Sequence, residues 1–329
     1  MLDPLHRWTA IGEKPDYAGP LSYAGVPYTQ DPADLVGADA AIVGAPMDDL
    51  VSDRPGTRFA PRAIRAASCP PGPNLETNID AFAELRVVDF GDAPVLPADP
   101  ARSHAAIRET VGQVLAADAI PVVLGGDHSI TEPSLRACAA KYGRVGLVHF
   151  DTHTDTGAEV FGVERSHGTI MRRLVEGGHV DPERYVQVGL RGYWPGEEEF
   201  SWQKERGITS LFMHEIRDLG EREVVRRAVE AVGPGPAFLT VDIDVLDPAF
   251  APGTGTPEPG GMTTAELLWA VREVAERVEV VGADLVEVIP TGVGSADVTA
   301  LAADRIVREI LGGIALRKSK QERKDQKER

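Results

Sequence analysis

Cysteine is nearly absent from this sequence, and long apolar runs are missing altogether. Two cysteines, Cys69 and Cys138, occur in 329 residues, which is too few for a disulfide framework, and they form no Cys-x-x-Cys pair. No run reaches the roughly 18 apolar residues that a membrane-spanning helix needs. The N-terminus has no basic segment followed by an apolar stretch, so no signal peptide is predicted. Together these absences favour a protein of the reducing cytosol with no membrane partner.

Positive charge is also scarce. The chain has 34 lysines and arginines against 51 aspartates and glutamates, a formal net charge of -17. Such a surface repels the phosphates of nucleic acids and anionic membranes, whereas a small cationic substrate is attracted to it. The one basic run, residues 317–329, is predicted to be a solvated, disordered tail.

The apolar residues occur in short runs separated by helical or long connecting segments. This pattern predicts right-handed crossovers between strands of a mainly parallel sheet. An open sheet covered by helices and a closed (β/α)8 barrel both fit, and both place functional residues at the carboxyl ends of strands. The predicted strands are 40–44, 85–90, 120–124, 145–150, 185–190, 208–213, 237–241 and 278–287.

No internal repeat or low-complexity linker divides the chain. We therefore predict an irregular N-terminal arm over residues 1–38, one α/β catalytic domain over 39–316, and the charged tail over 317–329. The final helix of the domain is expected to run from Ala296 to Leu316.

The predicted strand 145–150 runs directly into Asp151-Thr-His153-Thr-Asp155. In extended backbone, alternate side chains share a face, so the two aspartates and the histidine are expected to converge while the threonines turn away. Converging buried carboxylates are costly unless a cation holds them, and a divalent metal is the natural occupant. The alternative interpretation is a polar loop without a ligand.

Two further predicted strands end in similar residues. His128 follows strand 120–124, and Asp242 and Asp244 follow strand 237–241 with the same alternate spacing. Each segment has a structural alternative, namely a turn histidine or a pair of capping aspartates. Six ligands exceed one closed zinc site but suit two Mn-like ions that share bridging carboxylates. His149 lies deeper in its strand and is interpreted as a core histidine.

Segments 125–129, 151–155 and 242–248 resemble the three signature segments of the ureohydrolase family, which includes arginase and agmatinase. Segment 247–257 is more similar to the agmatinase branch, and the resemblance extends from about residue 40 to 315. It implies a single three-layer α/β domain with an eight-stranded, mainly parallel sheet, and so favours the open sheet over the barrel.

The resemblance also implies roles for individual residues. It implies two Mn(II) ions, with Ni(II) as the alternative metal. One ion would be bound by His128, Asp151, Asp155 and Asp242, and the other by Asp151, His153, Asp242 and Asp244. Asp155, His167 and Glu287 are the implied catalytic residues, with His167 as a mobile proton shuttle and Glu287 as the acid that binds the guanidinium.

The implied reaction is hydrolysis of agmatine to putrescine and urea by a homo-oligomer, a trimer or hexamer. The sequence departs from agmatinases after Glu287 and around Asp48, where the far end of the substrate would bind. Asp48 or Asp49 would suit the ammonium of agmatine. One of three arginines, Arg54, Arg58 or Arg165, would suit the carboxylate of 4-guanidinobutyrate or 3-guanidinopropionate. Free guanidine as substrate and a non-catalytic metal-binding partner subunit are the remaining alternatives.

Overall fold

An eight-stranded sheet lies at the centre of the molecule. Its strands are β1 (Ala40–Gly44), β2 (Val87–Asp92), β3 (Ile120–Leu124), β4 (Val145–Phe150), β5 (Val180–Leu190), β6 (Thr209–Phe212), β7 (Pro236–Asp242) and β8 (Glu279–Val286). The computed structural model, which describes residues 18–193 and 196–328, gives the order β2-β1-β3-β8-β7-β4-β5-β6. Every neighbouring pair is parallel. Because β2 and β6 lie at opposite edges, the sheet is open, and the barrel alternative is wrong.

The central strands are apolar along their whole length because both faces are covered. In β1, Ala40 and Ile42 join one buried cluster whereas Ala41 and Val43 join another. Alternate side chains therefore enter the two cores on opposite faces of the sheet. This explains why the sequence shows continuous apolar runs rather than an alternation of apolar and polar residues.

Helices cover both faces and complete a single domain of three layers. One face carries α1 (Ala60–Ala67), α2 (Ala81–Glu84), α7 (Met213–Leu219), α8 (Glu221–Val232), α9 (Thr264–Arg277) and α10 (Val298–Glu328). The other carries α3 (Pro100–Ala116), α4 (Thr131–Tyr142), α5 (Ile170–Glu176) and α6 (Glu197–Glu205). Local sequence sets several boundaries: Asp99 caps the first turn of α3, and Thr263 with Glu266 forms a capping box on α9.

The two ends of the chain differ from the expectation. Helix α10 continues beyond Leu316 to Glu328, so the prediction of a disordered tail is wrong for residues 317–328. Lys318 Nζ lies 2.7 Å from Asp39 Oδ1, and Lys320 pairs with Glu276, so acidic neighbours stabilise the basic turns.

In the N-terminal arm, residues 1–17 lie outside the described part of the chain. Residues 18–38 do more than cover the surface, because Tyr23 and Leu35 are completely buried, one in each core cluster. Within the described residues, no helix is both long and apolar enough to cross a membrane.

Candidate active site

The predicted ligands come from the carboxyl ends of adjacent central strands. His128 follows β3, Asp151 follows β4, Asp242 ends β7, and Glu287 follows β8. Since β3, β8, β7 and β4 are consecutive in the sheet, their ends meet at one edge, where open parallel sheets bind ligands. Residues far apart in sequence therefore become neighbours.

The first group of ligands surrounds His128. Its Nδ1 lies 3.1 Å from Asp151 Oδ2, 3.0 Å from Asp155 Oδ2 and 3.2 Å from Asp242 Oδ2. All four side chains are buried. The structure thus brings together the four residues predicted to bind one ion.

The second group surrounds His153. Its Nδ1 lies 3.1 Å from Asp244 Oδ2 and 3.5 Å from Asp151 Oδ1. Asp151 therefore presents Oδ2 toward His128 and Oδ1 toward His153, which is the arrangement expected of a carboxylate shared between two ions. The predicted convergence is observed for all six residues.

The chemistry of this cluster fits bound cations. Despite these short contacts, neither His128 Nδ1 nor Asp244 Oδ2 has a neighbour among the described residues in hydrogen-bonding geometry, and both atoms are buried. Burial and the neighbouring carboxylates of Asp244 and Asp151 raise the pKa of Asp242 well above its usual range. Divalent ions would relieve this repulsion and supply the missing partners.

The route by which the ligands converge differs from the prediction. Strand β4 ends at Phe150, so alternation in an extended strand does not align Asp151, His153 and Asp155. Instead the chain turns, and Asp155 adopts a left-handed backbone with φ of 51°. Such a conformation is uncommon for aspartate and is maintained only when the surroundings enforce it.

A further layer of residues orients the ligands, and few sequence patterns indicated it. Thr240 Oγ1 lies 2.9 Å from His128 Nε2, which leaves Nδ1 directed at the carboxylates. His149 is buried, as predicted, but it is more than a core residue. Its Nε2 lies 2.7 Å from Asp151 Oδ2 and its Nδ1 lies 2.9 Å from the hydroxyl of Tyr185. With both nitrogens occupied, His149 orients Asp151 rather than binding metal. Its spacing of two residues from Asp151 was the available signal.

His167 and Glu287 meet beside the metal ligands. His167 Nδ1 lies 3.0 Å from Glu287 Oε1, and its Nε2 lies 2.7 Å from the hydroxyl of Ser52, a residue that sequence reasoning missed. Burial opposes protonation of His167, but Glu287 outweighs it and raises the pKa of the imidazole to about 9. The backbone N–H of Ser52 donates to His167 Nε2 at 3.1 Å, so in this geometry Nε2 is an acceptor and Nδ1 carries the hydrogen that faces Glu287.

One oxygen of Glu287 remains available. Oε1 accepts a hydrogen bond of 2.8 Å from the backbone N–H of His128, whereas Oε2 is buried without a partner among the described residues. The residue also has a left-handed backbone, with φ of 62°. An unpaired buried carboxylate oxygen is costly and suits a cationic ligand.

A cavity of about 430 Å³ opens onto this edge of the sheet. It is large enough for a small molecule. Among the described residues its walls include no lysine or arginine, and they carry two glutamates outside the cluster, Glu159 and Glu199. Glu199 Oε2 accepts hydrogen bonds from the hydroxyls of Thr154 at 3.0 Å and Thr156 at 3.4 Å, and the sequence did not identify it.

The residues suggested for the far end of the substrate are mostly engaged elsewhere. Arg58 pairs with both Asp48 and Asp49, and Arg165 pairs with Glu132 in a separate cavity. Arg54 is less firmly engaged: it is half exposed, and its Nε lies 4.0 Å from Asp53 Oδ2 and donates to the carbonyl of Gly255 at 3.3 Å.

The open parallel sheet and the cluster of histidines and aspartates at its edge define a ureohydrolase. The chain matches the arginase family over residues 38–312 and belongs to that family. It is 40% identical to guanidinobutyrase of Pseudomonas aeruginosa over 87% of this chain and 90% of the relative. It is 41% identical to the mitochondrial agmatinase of Gallus gallus over 84% of this chain and 81% of the relative.

A solved structure agrees in fold and length. Proclavaminate amidino hydrolase from Streptomyces clavuligerus superposes with a TM-score of 0.86 and 34% identity, covering 92% of this chain and 100% of that chain. The chain is accordingly an arginase-family amidinohydrolase, and its relatives act on different guanidino compounds by name.

Proposed function

We propose that this protein hydrolyses agmatine to putrescine and urea at a binuclear manganese centre. The observation that carries the proposal is one small cavity whose lining combines His153, Asp155 and Asp242 of the ligand cluster with His167. Glu287 does not line the cavity itself but lies 3.0 Å from His167 Nδ1. The cluster would activate water, and the pair would bind and protonate a guanidinium. Neither the ligand cluster nor the His167–Glu287 pair would account for amidine hydrolysis alone.

The contacts around His128 and around His153 support the two ligand sets that the resemblance implies, with Asp242 assigned to the second set from the resemblance alone. His128, Asp151, Asp155 and Asp242 would hold one ion, and Asp151, His153, Asp242 and Asp244 the other. Carboxylates and imidazoles suit Mn(II), with Ni(II) as the alternative. When bound, such a pair lowers the pKa of a water molecule so that hydroxide forms near neutral pH.

Glu287 and His167 would act on the substrate. The unpartnered Oε2 of Glu287 would accept hydrogen bonds from the planar guanidinium, a match of charge and geometry. His167, whose pKa Glu287 raises to about 9, would pass a proton to the amine when the C–N bond breaks. Asp155 lines the same cavity and would hold the attacking water by a hydrogen bond.

The charge of the cavity favours a substrate with a cationic tail. Glu159 and Glu199 line its outer part, and no basic side chain does so among the described residues. Agmatine carries an ammonium at the end opposite its guanidinium and would be attracted there. Asp48, which pairs with Arg58, is not required for this.

A guanidino acid is the second candidate. Arg54 lies against Gly255, and Gly255 adjoins Glu287, so a guanidinium is available near the mouth for a carboxylate tail. The named relatives include a guanidinobutyrase. Agmatine remains our first choice because Glu159 and Glu199 line the cavity, whereas Arg54 already has Asp53 Oδ2 at 4.0 Å from its Nε.

The test is urea release from a panel of guanidines, with metal content measured on the same sample. The panel contains agmatine, 4-guanidinobutyrate, 3-guanidinopropionate, arginine and guanidine, each with Mn(II) or Ni(II). We expect agmatine with Mn(II) to give the highest kcat/KM. If only another guanidine were hydrolysed, the proposed substrate would be wrong but the proposed reaction would stand. If no compound in the panel released urea, both the substrate and the reaction would be wrong.

A further inference from the structure

A second cavity, of about 450 Å³, lies behind the candidate active site between α3, α4 and the loop that precedes His167. Its apolar walls include Leu50, Pro133 and Val163. Its charged and titratable walls are His104, Arg108, Glu132, Arg136 and Arg165. Its size is that of a small-molecule site.

The balance of charge in this second cavity is opposite to that of the whole protein. Three guanidiniums face one carboxylate, and burial lowers the pKa of His104, so the histidine is neutral at pH 7. The walls are thus net positive in a chain whose formal charge is -17. Among the described residues, Arg108 has no ion-pair partner, and guanidiniums bind carboxylates through paired hydrogen bonds.

Glu132 gives the cavity a second, more specific feature. It is 3% exposed, and its Oε1 lies 3.2 Å from both Arg136 Nη1 and Arg165 Nη2. Its Oε2 has no hydrogen-bond partner among the described residues, and neither has Arg136 Nε. The nearest donor to Oε2, His104 Nδ1, is 3.9 Å away, which is too far for a hydrogen bond.

We propose that this second cavity binds a small carboxylate anion that also carries a hydroxyl or ammonium group. The carboxylate would bind the guanidiniums of Arg108 and Arg136, and the hydroxyl or ammonium would donate to Glu132 Oε2. Such a ligand satisfies both the unpaired acceptor and the unpaired donor, each of which is costly when buried.

The proposed site shares supports with the catalytic residues. The backbone N–H of Leu50 donates to Asp127 Oδ2 at 3.0 Å, and the carbonyl of Leu50 accepts from the N–H of His167 at 3.2 Å. On the other side, His104 Nε2 lies 3.0 Å from the hydroxyl of Ser129, next to His128. An occupant would therefore rest on the residues that position both histidines.

Calorimetry on the metal-loaded full chain tests the proposal without reference to catalysis. The probes are malate, which has a hydroxyl, and succinate, which lacks it, with chloride at equal ionic strength as the blank. We expect malate to bind more tightly than succinate. Arg136→Gln is expected to lower the affinity for malate by about tenfold or more, because one charge-assisted hydrogen bond is lost. Arg62→Gln, on the exposed side of α1, is the matched control and is expected to bind as the parent does.

A second variant, which is expected to strengthen anion binding rather than weaken it, separates this site from the metal centre. Glu132→Gln removes the carboxylate that competes for Arg136 and Arg165, so succinate is expected to bind more tightly, and a thermal melt establishes that the variant is folded. Three results would each overturn the proposal: no heat with either probe, malate binding unaffected by Arg136→Gln, or succinate binding as tightly as malate. If the probe anion instead bound at the metal centre, Arg136→Gln would leave malate binding unaffected.

Discussion

The inner and outer ends of the candidate active-site cavity are built differently. At the inner end, His128 and Asp151 are completely buried, and Thr240 and His149 hold them by hydrogen bonds. At the mouth, Phe161 is 87% exposed and belongs to a loop. Strand ends of a rigid sheet fix the chemistry, whereas loops set the shape that meets the rest of the substrate. This difference explains how one family retains a reaction while its members differ in substrate.

The strongest test of the inner end is removal of a shared ligand. Asp242→Ala is expected to reduce urea formation by more than about 100-fold, because loss even of a residue that supports a ligand costs 10- to 100-fold. Metal content measured by elemental analysis should fall with it. Asp218→Ala, an exposed aspartate on α7, is the control. Undiminished urea production by the Asp242 variant would contradict the scheme.

Removing the proton donor should affect catalysis but not metal binding. We expect His167→Ala to lower kcat by roughly 10²- to 10⁴-fold, the usual contribution of a positioned general acid. Metal content should be unchanged, since His167 contacts Glu287 and Ser52 rather than the ligands. Loss of metal together with activity would instead give His167 a structural role.

Truncation of the supporting layer should weaken metal binding to a smaller extent. His149→Phe keeps an aromatic ring but removes the hydrogen bond to Asp151, and we expect about 10- to 100-fold lower metal affinity. Calorimetric titration with Mn(II) measures this affinity. Tyr185→Phe, which removes only the hydroxyl beyond His149, should have a weaker effect. Equal affinity for parent and His149→Phe would mean that His149 only fills space.

The coupling of His167 to Glu287 can be measured by pH titration. With its pKa raised to about 9, the imidazolium is present below that pH and loses its proton as the pH rises through it. In Glu287→Gln the attraction disappears, so the pKa should fall, as followed by NMR of the ring in metal-free protein. His104, which does not contact Glu287, should titrate as before. A pKa that is the same in both proteins would disprove the coupling.

The smallest effect is expected at the mouth. Glu199→Gln retains an acceptor for Thr154 but removes a charge, so the KM for agmatine should rise by roughly fivefold, about 1 kcal/mol. The KM for butylguanidine, which has no ammonium, should be unchanged. Glu197→Gln on the exposed side of α6 controls for net charge. Equal changes for both substrates would indicate that Glu199 only supports the loop.

Prediction from sequence was most successful where local signals coincide. The buried strand β4 is readable because its short, mostly apolar run is covered on both faces at all six positions, and the ligands follow strand ends. Thr240 and Ser52 were not recognised because their roles depend on partners distant in sequence, whereas His149 was interpreted only as a core histidine although Asp151 is two residues away. The tail was misjudged because composition does not reveal that Asp39 and Glu276 lie beside Lys318 and Lys320.

Local features of the sequence are enough to predict the family, the parallel α/β architecture and the six candidate ligands, because short motifs and apolar runs are recognisable without the fold. The folded chain was needed to establish which oxygen faces which histidine and which arginines already have partners. It also shows that Glu287 keeps one oxygen unpaired. Such facts depend on how separate segments pack against one another, and no local pattern encodes that packing.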